Sequence, residues 1–247
     1  MPPIPDVIVL SGGFGTRLKG VIGDVPKPMA QIAGRPFLEL LLRQVKRQGF
    51  SRVILSVGYK QEVIREHFGD QAFGLRLVYS IEDFPLGTGG ALKEAGRCLE
   101  TEAALVMNGD SYTDADLARL VREHAANDAD VTVVVIPETR SDAGSVVLGE
   151  DGQVRAFAEK RAIPGSRYLS AGIYMLNRDL LAGLPVGVKL SLEEQLFPQW
   201  LAASKKIMGF VYNGPCIDIG TPERFQIAQN ALEKMELGTV LESEGRS

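Results

Sequence analysis

Four stretches of this chain, DVIVL (6–10), RVILSV (52–57), AALVM (103–107) and VTVVVI (131–136), are apolar on both faces rather than at every second residue. A strand of that kind has no wet side, so it belongs inside a sheet covered on both faces. Between such runs lie segments with helical spacing of apolar residues. PFLELLLRQVKRQ (36–48) is closed by Gly49, QEVIREHF (61–68) precedes the strand LRLVYS (75–80), and helices are expected over 88–99 and 114–126. Parallel strands need crossover connections, and helices supply them. The first 136 residues therefore read as an α/β fold, a mostly parallel sheet flanked by helices.

The pattern changes after residue 140. Strands at 145–148 and 154–158 flank the turn signal EDG, a third follows a Pro-Gly loop at 169–176, and the segment from Ser191 is mainly helical with one strand at 207–212. This is a small antiparallel elaboration in the second half of one domain spanning 1–237. The polar run ELGTVLESEGRS is expected to fray over 238–247.

Composition narrows the classes of partner. A net charge of −4 and a pI near 5.4 lack the basic footprint of a nucleic-acid binder. Two cysteines without a CxxC pair, and two histidines, exclude a Cys/His zinc site of ordinary spacing. The opening MPPIPDVIVLSGG has no basic leader, and its apolar run is too short for a signal peptide or a membrane span, so a cytoplasmic location without membrane association is expected.

In open α/β sheets ligands bind beyond the carboxyl ends of the strands, so chemistry is sought in the loops there. The first loop, SGGFGTRLK, fits neither GxGxxG, because Leu18 stands where the third glycine belongs, nor the P-loop, because no Gly-Lys-Ser/Thr triplet occurs. It offers backbone N–H groups beside Thr16, Arg17 and Lys19, with Lys27-Pro28 further on, a set suited to phosphate oxygens. Asp110 in NGDS follows the strand 103–107. It is placed either to bind Mg²⁺ together with substrate phosphates or to cap the next helix. Asp218 in CIDIGTPERF is not needed as a cap, because Thr221 and Pro222 read as the N-cap and first helical residue. Glu159 and Lys160, judged by spacing alone, read as an exposed strand end. The loop EDFPLGTGGA (82–91) is glycine-rich and poor in charge, which suits a flat uncharged group such as a nucleobase.

GGFGTRL, Lys27-Pro28, PLGTGGA, NGD, Glu159-Lys160, AGIY (171–174) and DIGTPE (218–223) occur in the order seen in sugar-1-phosphate nucleotidyltransferases, and the chain resembles that family from about residue 7 to 230. The resemblance implies a Rossmann-like (GT-A-like) fold and Mg²⁺-dependent transfer of a nucleotidyl group from an NTP to a sugar 1-phosphate, with release of pyrophosphate. It makes 1–136 mainly the nucleotide half and 137–237 mainly the sugar-phosphate half. By position, Gly12, Gly13, Gly15, Thr16 and Arg17 resemble the phosphate loop, and Lys27 the lysine on the reacting phosphate. Leu10, Glu82, Gly87 and Thr88 complete the nucleotide site. Asp110 and Asp218 resemble paired metal ligands, with Arg17, Lys27 and Asp110 as the catalytic set. Gly144, Glu159, Lys160 and Gly172 resemble the sugar-phosphate contacts, which reverses the bland reading of Glu159 and Lys160. Residues 137–170 depart most from the family pattern.

The base follows from hydrogen-bond chemistry. Guanine presents two adjacent donors, N1–H and the 2-amino group, whereas uracil and thymine present one donor between two acceptors. A carboxylate only accepts, so Glu82 at the base-reading position favours GTP. DVPKPMAQIAGRPFLE, YSIEDFPLGTGGALK and NGDSY look most like bacterial D-glycero-D-manno-heptose-1-phosphate guanylyltransferases, which make GDP-heptose for surface polysaccharides. Mannose-1-phosphate guanylyltransferases and the uridylyl- or thymidylyltransferases of hexose phosphates are the rivals. A non-catalytic nucleotide-sugar sensor would be expected to lack Arg17, Lys27 or one of the two aspartates, and all four are present. A glycosyltransferase using an NDP-sugar would be expected to carry a DxD motif, for which NGDSYTD offers only the loosely spaced Asp110 and Asp114.

Overall fold

A computed structural model describes residues 2–13, 15–138 and 144–232. The expected frayed tail, 238–247, lies outside the described residues. At the centre of the main sheet, Asp6–Leu10 pairs in parallel with Arg52–Val57 on one side and with Ala103–Asn108 on the other. Leu75–Ile81 extends the parallel set beyond Arg52–Val57. On the other flank Tyr168–Asn177 runs antiparallel to Ala103–Asn108, and both Ser145–Leu148 and Val131–Ile136 pair antiparallel with it. Val154–Ala158, Ile207–Val211 and the two-residue strand Gln71–Ala72, antiparallel to Leu75–Ile81, complete the described sheet.

The pleat explains why the central strands lack alternation. Val7 and Val9 face one layer, packed by the helices Phe37–Arg47 and Gln61–Phe68. Ile8 faces the other, against Leu92 and Ala95 of the helix Gly87–Gly96 and Tyr174 of the long antiparallel strand. All three of these strand residues are fully buried. Truncating Ile8 to Ala would cost about 2–5 kcal/mol, from the lost transfer energy and the cavity left behind.

The expected strands 6–10, 52–57, 131–136, 145–148 and 154–158 and the helix 61–68 have the observed bounds. The other expected elements lie within three residues of the observed bounds, and one of these shifts bears on the site. The helix expected from residue 114 begins at Leu117, because Ser111–Thr113 forms a strand paired antiparallel with Cys216–Asp218. Its cap is Asp116, whose side chain accepts from the Arg119 N–H at 2.7 Å. Asp110 is therefore released from the capping role that competed with metal binding. Thr221 does cap the last described helix (222–232), its hydroxyl accepting from the Arg224 N–H at 3.3 Å.

Candidate active site

The parallel strands all end at one edge. Leu10 lies beside Asn108 and Ser56, and Val57 beside Ile81, so the loops that follow them emerge side by side. Backbone bonds fix the start of each loop: Ser11 N–H to Ser56 C=O, Gly109 N–H to Leu10 C=O, and Glu82 N–H to Val57 C=O, at 2.8–2.9 Å. Two cavities of about 280 and 460 Å³ open there, sharing Gly13, Lys27, Asn108 and Asp110, and together they make one cleft.

The smaller cavity holds Leu10, Gly12, Glu82, Gly87 and Thr88. The Glu82 carboxylate accepts from the Ser56 hydroxyl at 3.1 Å and the Leu86 N–H at 3.2 Å, which fixes its direction. Burial pushes its carboxyl upward in pKa, and those two hydrogen bonds oppose the shift. Gly12 is required here by space, since a Cβ at that position would collide with a Glu82 carboxylate oxygen. Ser11 Oγ and Asn108 Oδ1 are buried with no hydrogen-bond partner among the described residues, and both line this cavity. Buried polar atoms left this way are costly unless something else meets them.

In the larger cavity Gly15 adopts a left-handed φ of 58° and turns the chain into the single turn Thr16–Leu18, bringing Arg17 to the cleft. Beyond that turn the loop is pinned by Asp24, which accepts from the Tyr59 hydroxyl at 2.9 Å and pairs with Lys60 at 2.5 Å. Lys27 Nζ lies 2.5 Å from the Asp110 carboxylate. The two-stranded ladder places Asp218 opposite Ser111, next to Asp110, and Arg224 Nη1 sits 3.2 Å from the Asp218 carboxylate. Gln44 and Gln48 hold the segment that follows Asp110. The Gln44 amide donates to Thr113 C=O, and Gln48 donates to Ala115 C=O at 2.9 Å while accepting from the Leu117 N–H. Among the described residues no group of three or more His, Cys, Asp or Glu gathers to hold a metal ion. Asp110, just before the ladder, and Asp218, at its end, both line this cavity, and such a pair fits Mg²⁺, which takes one or two carboxylates and completes its shell with substrate phosphates and water.

The far wall of the larger cavity carries Gly144, Glu159 and Gly172. Gly172 has a φ of 72° inside a bulge between Ser170 and Tyr174, and a Cβ there would strike the Asn108 amide. The bulge turns Ser170 and Ala171 into the cleft. Lys160 is the expected site residue that does not line the cleft. Its backbone is left-handed (φ 51°), so the Glu159-Lys160 pair forms a turn rather than extended strand. Its Nζ stands 4.0 Å from Glu159 and 3.9 Å from Glu194, in an adjoining cavity.

Residues not anticipated from the sequence complete this wall. Glu193 lines the larger cavity, accepts from the Thr88 hydroxyl at 2.6 Å, and receives the buried Tyr174 hydroxyl at 3.4 Å. Thr88 also accepts from the Leu192 N–H at 2.8 Å, so its hydroxyl links the nucleotide cavity to the opposite wall. Glu193 sits in a run with no local motif; its position depends on the segment 188–192 docking on Gly89 and Gly90, where added side chains would clash.

The nucleotidyl transferase family model matches residues 6–235, nearly the whole chain. This chain belongs to the nucleotidyl transferase family. It is 36% identical over 228 residues to the D-glycero-alpha-D-manno-heptose 1-phosphate guanylyltransferase of Aneurinibacillus thermoaerophilus, covering 92% of this chain and 98% of that protein. It is 40% identical to the Campylobacter jejuni protein of the same name, covering 88% and 96%. It is also 40% identical to the mannose-1-phosphate guanylyltransferase of Mycobacterium tuberculosis, of which it spans 62%, with 89% of this chain aligned. Among solved structures, HddC from Yersinia pseudotuberculosis complexed with GMP-PN superposes with a TM-score of 0.80 at 33% identity, covering 92% of this chain and 99% of that one.

Proposed function

We propose that this protein transfers GMP from GTP to D-glycero-α-D-manno-heptose 1-phosphate, giving GDP-heptose and pyrophosphate, with Mg²⁺ held by Asp110 and Asp218. The observation that carries the reading is the cleft itself. A fixed acceptor-only carboxylate, Glu82, stands in one cavity, Arg17, Lys27 and two aspartates line the other, and Lys27 and Asp110 belong to both. The names and lengths of the heptose relatives support the acceptor.

Transfer forms a bond from a sugar-phosphate oxygen to the α-phosphorus and breaks the bond from that phosphorus to the bridging oxygen, whose electron pair leaves with pyrophosphate. The attacking oxygen is already anionic near neutral pH, so no general base is required. Its difficulty is repulsion from a negatively charged centre, and positioning with charge neutralisation overcomes that. Asp110 and Asp218 would hold Mg²⁺, which would supply neutralisation of phosphate charge. Lys27 then turns from Asp110 toward the α-phosphate, and Arg17 meets the departing pyrophosphate. Lys160 reaches the acceptor phosphate only if its exposed side chain swings from Glu159 and Glu194 into the cleft. Use of GTP and a sugar phosphate places the reaction in the cytoplasm, with its product destined for surface polysaccharide.

Pyrophosphate release tests this, with GTP, UTP, dTTP, CTP and ATP each paired with the 1-phosphates of heptose, mannose and glucose. Release confined to GTP with heptose 1-phosphate is expected. Preference for mannose 1-phosphate would replace the acceptor, which is the reading the Mycobacterium relative favours. Nucleotide binding without release in any pairing would make the protein a sensor.

A further inference from the structure

Each of the two carboxylates read as metal ligands meets a cationic side chain. Lys27 Nζ stands 2.5 Å from Asp110, and Arg224 Nη1 stands 3.2 Å from both oxygens of Asp218. The guanidinium therefore sits astride the carboxylate, on the side where a cation is met. The local sequence puts it there. Thr221 caps the helix 222–232 and accepts from the Arg224 N–H, so Arg224 belongs to the first turn, whose side chains lean back over the preceding loop. In that loop the Gly220 N–H donates to Asp218 at 2.9 Å. A Cβ on Gly220 would stand 3.0 Å from an Asp218 oxygen and 3.9 Å from Lys27 Nζ, so the two ion pairs are neighbours.

Among the described residues three cations border the larger cavity: Arg17, Lys27 and Arg224. The first two serve the triphosphate in the reading above. The acceptor brings a phosphate of its own, and Lys160 stands in the adjoining cavity. Arg224 shares the larger cavity with Gly144, Glu159 and Gly172 and does not border the smaller one that holds Glu82. A quarter of its side chain is exposed, so its pair with Asp218 is of the weak, exchangeable kind. A guanidinium offers a phosphate two parallel donors.

We propose that Arg224 is a further phosphate-binding residue of this cleft, holding Asp218 while no metal is bound and turning to the phosphate of the acceptor sugar once Asp218 takes up Mg²⁺. The inference rests on the functional reading above and deepens it. Lys27 makes the same exchange at Asp110, so two single charges give way to one divalent ion and both are released toward phosphate oxygens. In the metal-free cleft the two pairs keep neighbouring carboxylates from repelling each other. Metal and acceptor then favour each other's binding, because each draws Arg224 the same way.

The experiment has a metal arm and a substrate arm, both applied to the native protein, Arg224→Met and Arg224→Lys. In the first, Mn²⁺ is titrated into chelator-treated protein without substrates, and free Mn²⁺ is read by electron paramagnetic resonance. Arg224→Met should bind Mn²⁺ about three- to fivefold more tightly, as expected from removing the partner of a partly exposed ion pair, with Arg224→Lys near native. In the second, kcat and KM are measured at saturating Mg²⁺ with GTP and whichever of heptose 1-phosphate and mannose 1-phosphate the native protein uses. Arg224→Met should raise KM for the sugar phosphate about tenfold or more while KM for GTP stays within about twofold. Arg224→Lys should recover only part of that loss, because an ammonium lacks the paired donors. Mn²⁺ affinity that is unchanged or weaker in Arg224→Met overturns the exchange, since an arginine that only braces the helix does not compete with metal. A rise in KM for GTP instead of the sugar phosphate overturns the acceptor assignment. A native protein that uses neither acceptor defeats the functional reading itself, whereas native turnover with unmoved constants in Arg224→Met defeats this inference alone.

Discussion

The two halves of the cleft are built by different means. On the nucleotide side, Gly12, Glu82 and Asp110 each follow the end of a parallel strand, and the sheet register brings them together. On the sugar side, the residues come from a bulged strand interior, a turn in left-handed backbone and a segment strapped across the helix Gly87–Gly96. Loops after strands keep local signatures, because glycine, charge and turn residues are needed at fixed offsets. A wall assembled from strand interiors and docked segments keeps fewer, AGIY and Glu159-Lys160 among them, and a residue such as Glu193 gains its meaning only from a partner far away in the chain.

The comparison breaks most visibly at the shared centre. Arg17→Ala or Asp110→Ala should cost about 3–4 kcal/mol of transition-state stabilisation, two to three decades in kcat, read by pyrophosphate release under saturating substrates. Near-normal turnover would remove the residue from the chemistry. A smaller effect, confined to the nucleotide half, is expected from Gly12→Ala. The added methyl collides with the Glu82 carboxylate, so KM for GTP should rise about tenfold with little change in KM for the sugar phosphate.

Acidity sharpens the same distinction. Burial raises the Glu82 pKa, so as pH falls this group takes up a proton above the ordinary carboxylate range and ceases to be a pure acceptor. KM for GTP should therefore climb on the acid side, and Glu82→Gln should flatten that climb. An acid limb identical in the two proteins would assign it to another group. The smallest effect belongs to the link between halves. Thr88→Val leaves the Leu192 N–H without its acceptor and removes one of the two hydroxyls that donate to a Glu193 oxygen. At about 1–2 kcal/mol, this is a roughly five- to thirtyfold higher KM for the sugar phosphate. A rise in KM for GTP alone would return Thr88 to a purely nucleotide-binding role.

Much of this was legible in the sequence. The apolar runs marked three strands to the residue, 6–10, 52–57 and 131–136, since a strand buried on both faces has no other way to be written, and the turn signal EDG marked two more, 145–148 and 154–158. Arg17, Lys27, Glu82, Asp110 and Asp218 could be placed because each belongs to a short motif, most of them close behind a strand or at its end. The strand Ser111–Thr113 was missed, because its partner Cys216–Asp218 lies more than a hundred residues away and three residues carry too little pattern. Lys160 was assigned to the cleft, whereas its left-handed backbone directs it to the adjoining cavity, a turn that no residue preference announces. Glu193 went unnoticed for the same reason as the strap that carries it: both depend on glycines 89 and 90 leaving room for a distant segment.

The most direct measurement of the central claim is nucleotide selectivity before and after removal of one charge. Pyrophosphate release with GTP and with UTP, each with heptose 1-phosphate, is compared between the native protein and Glu82→Gln. A fixed carboxylate reading guanine predicts at least about a hundredfold preference for GTP in the native protein, falling to within about tenfold in the variant. A GTP preference that survives the substitution, or a native preference for UTP, would contradict the assignment of this cleft as a guanylyl-transfer site read by Glu82.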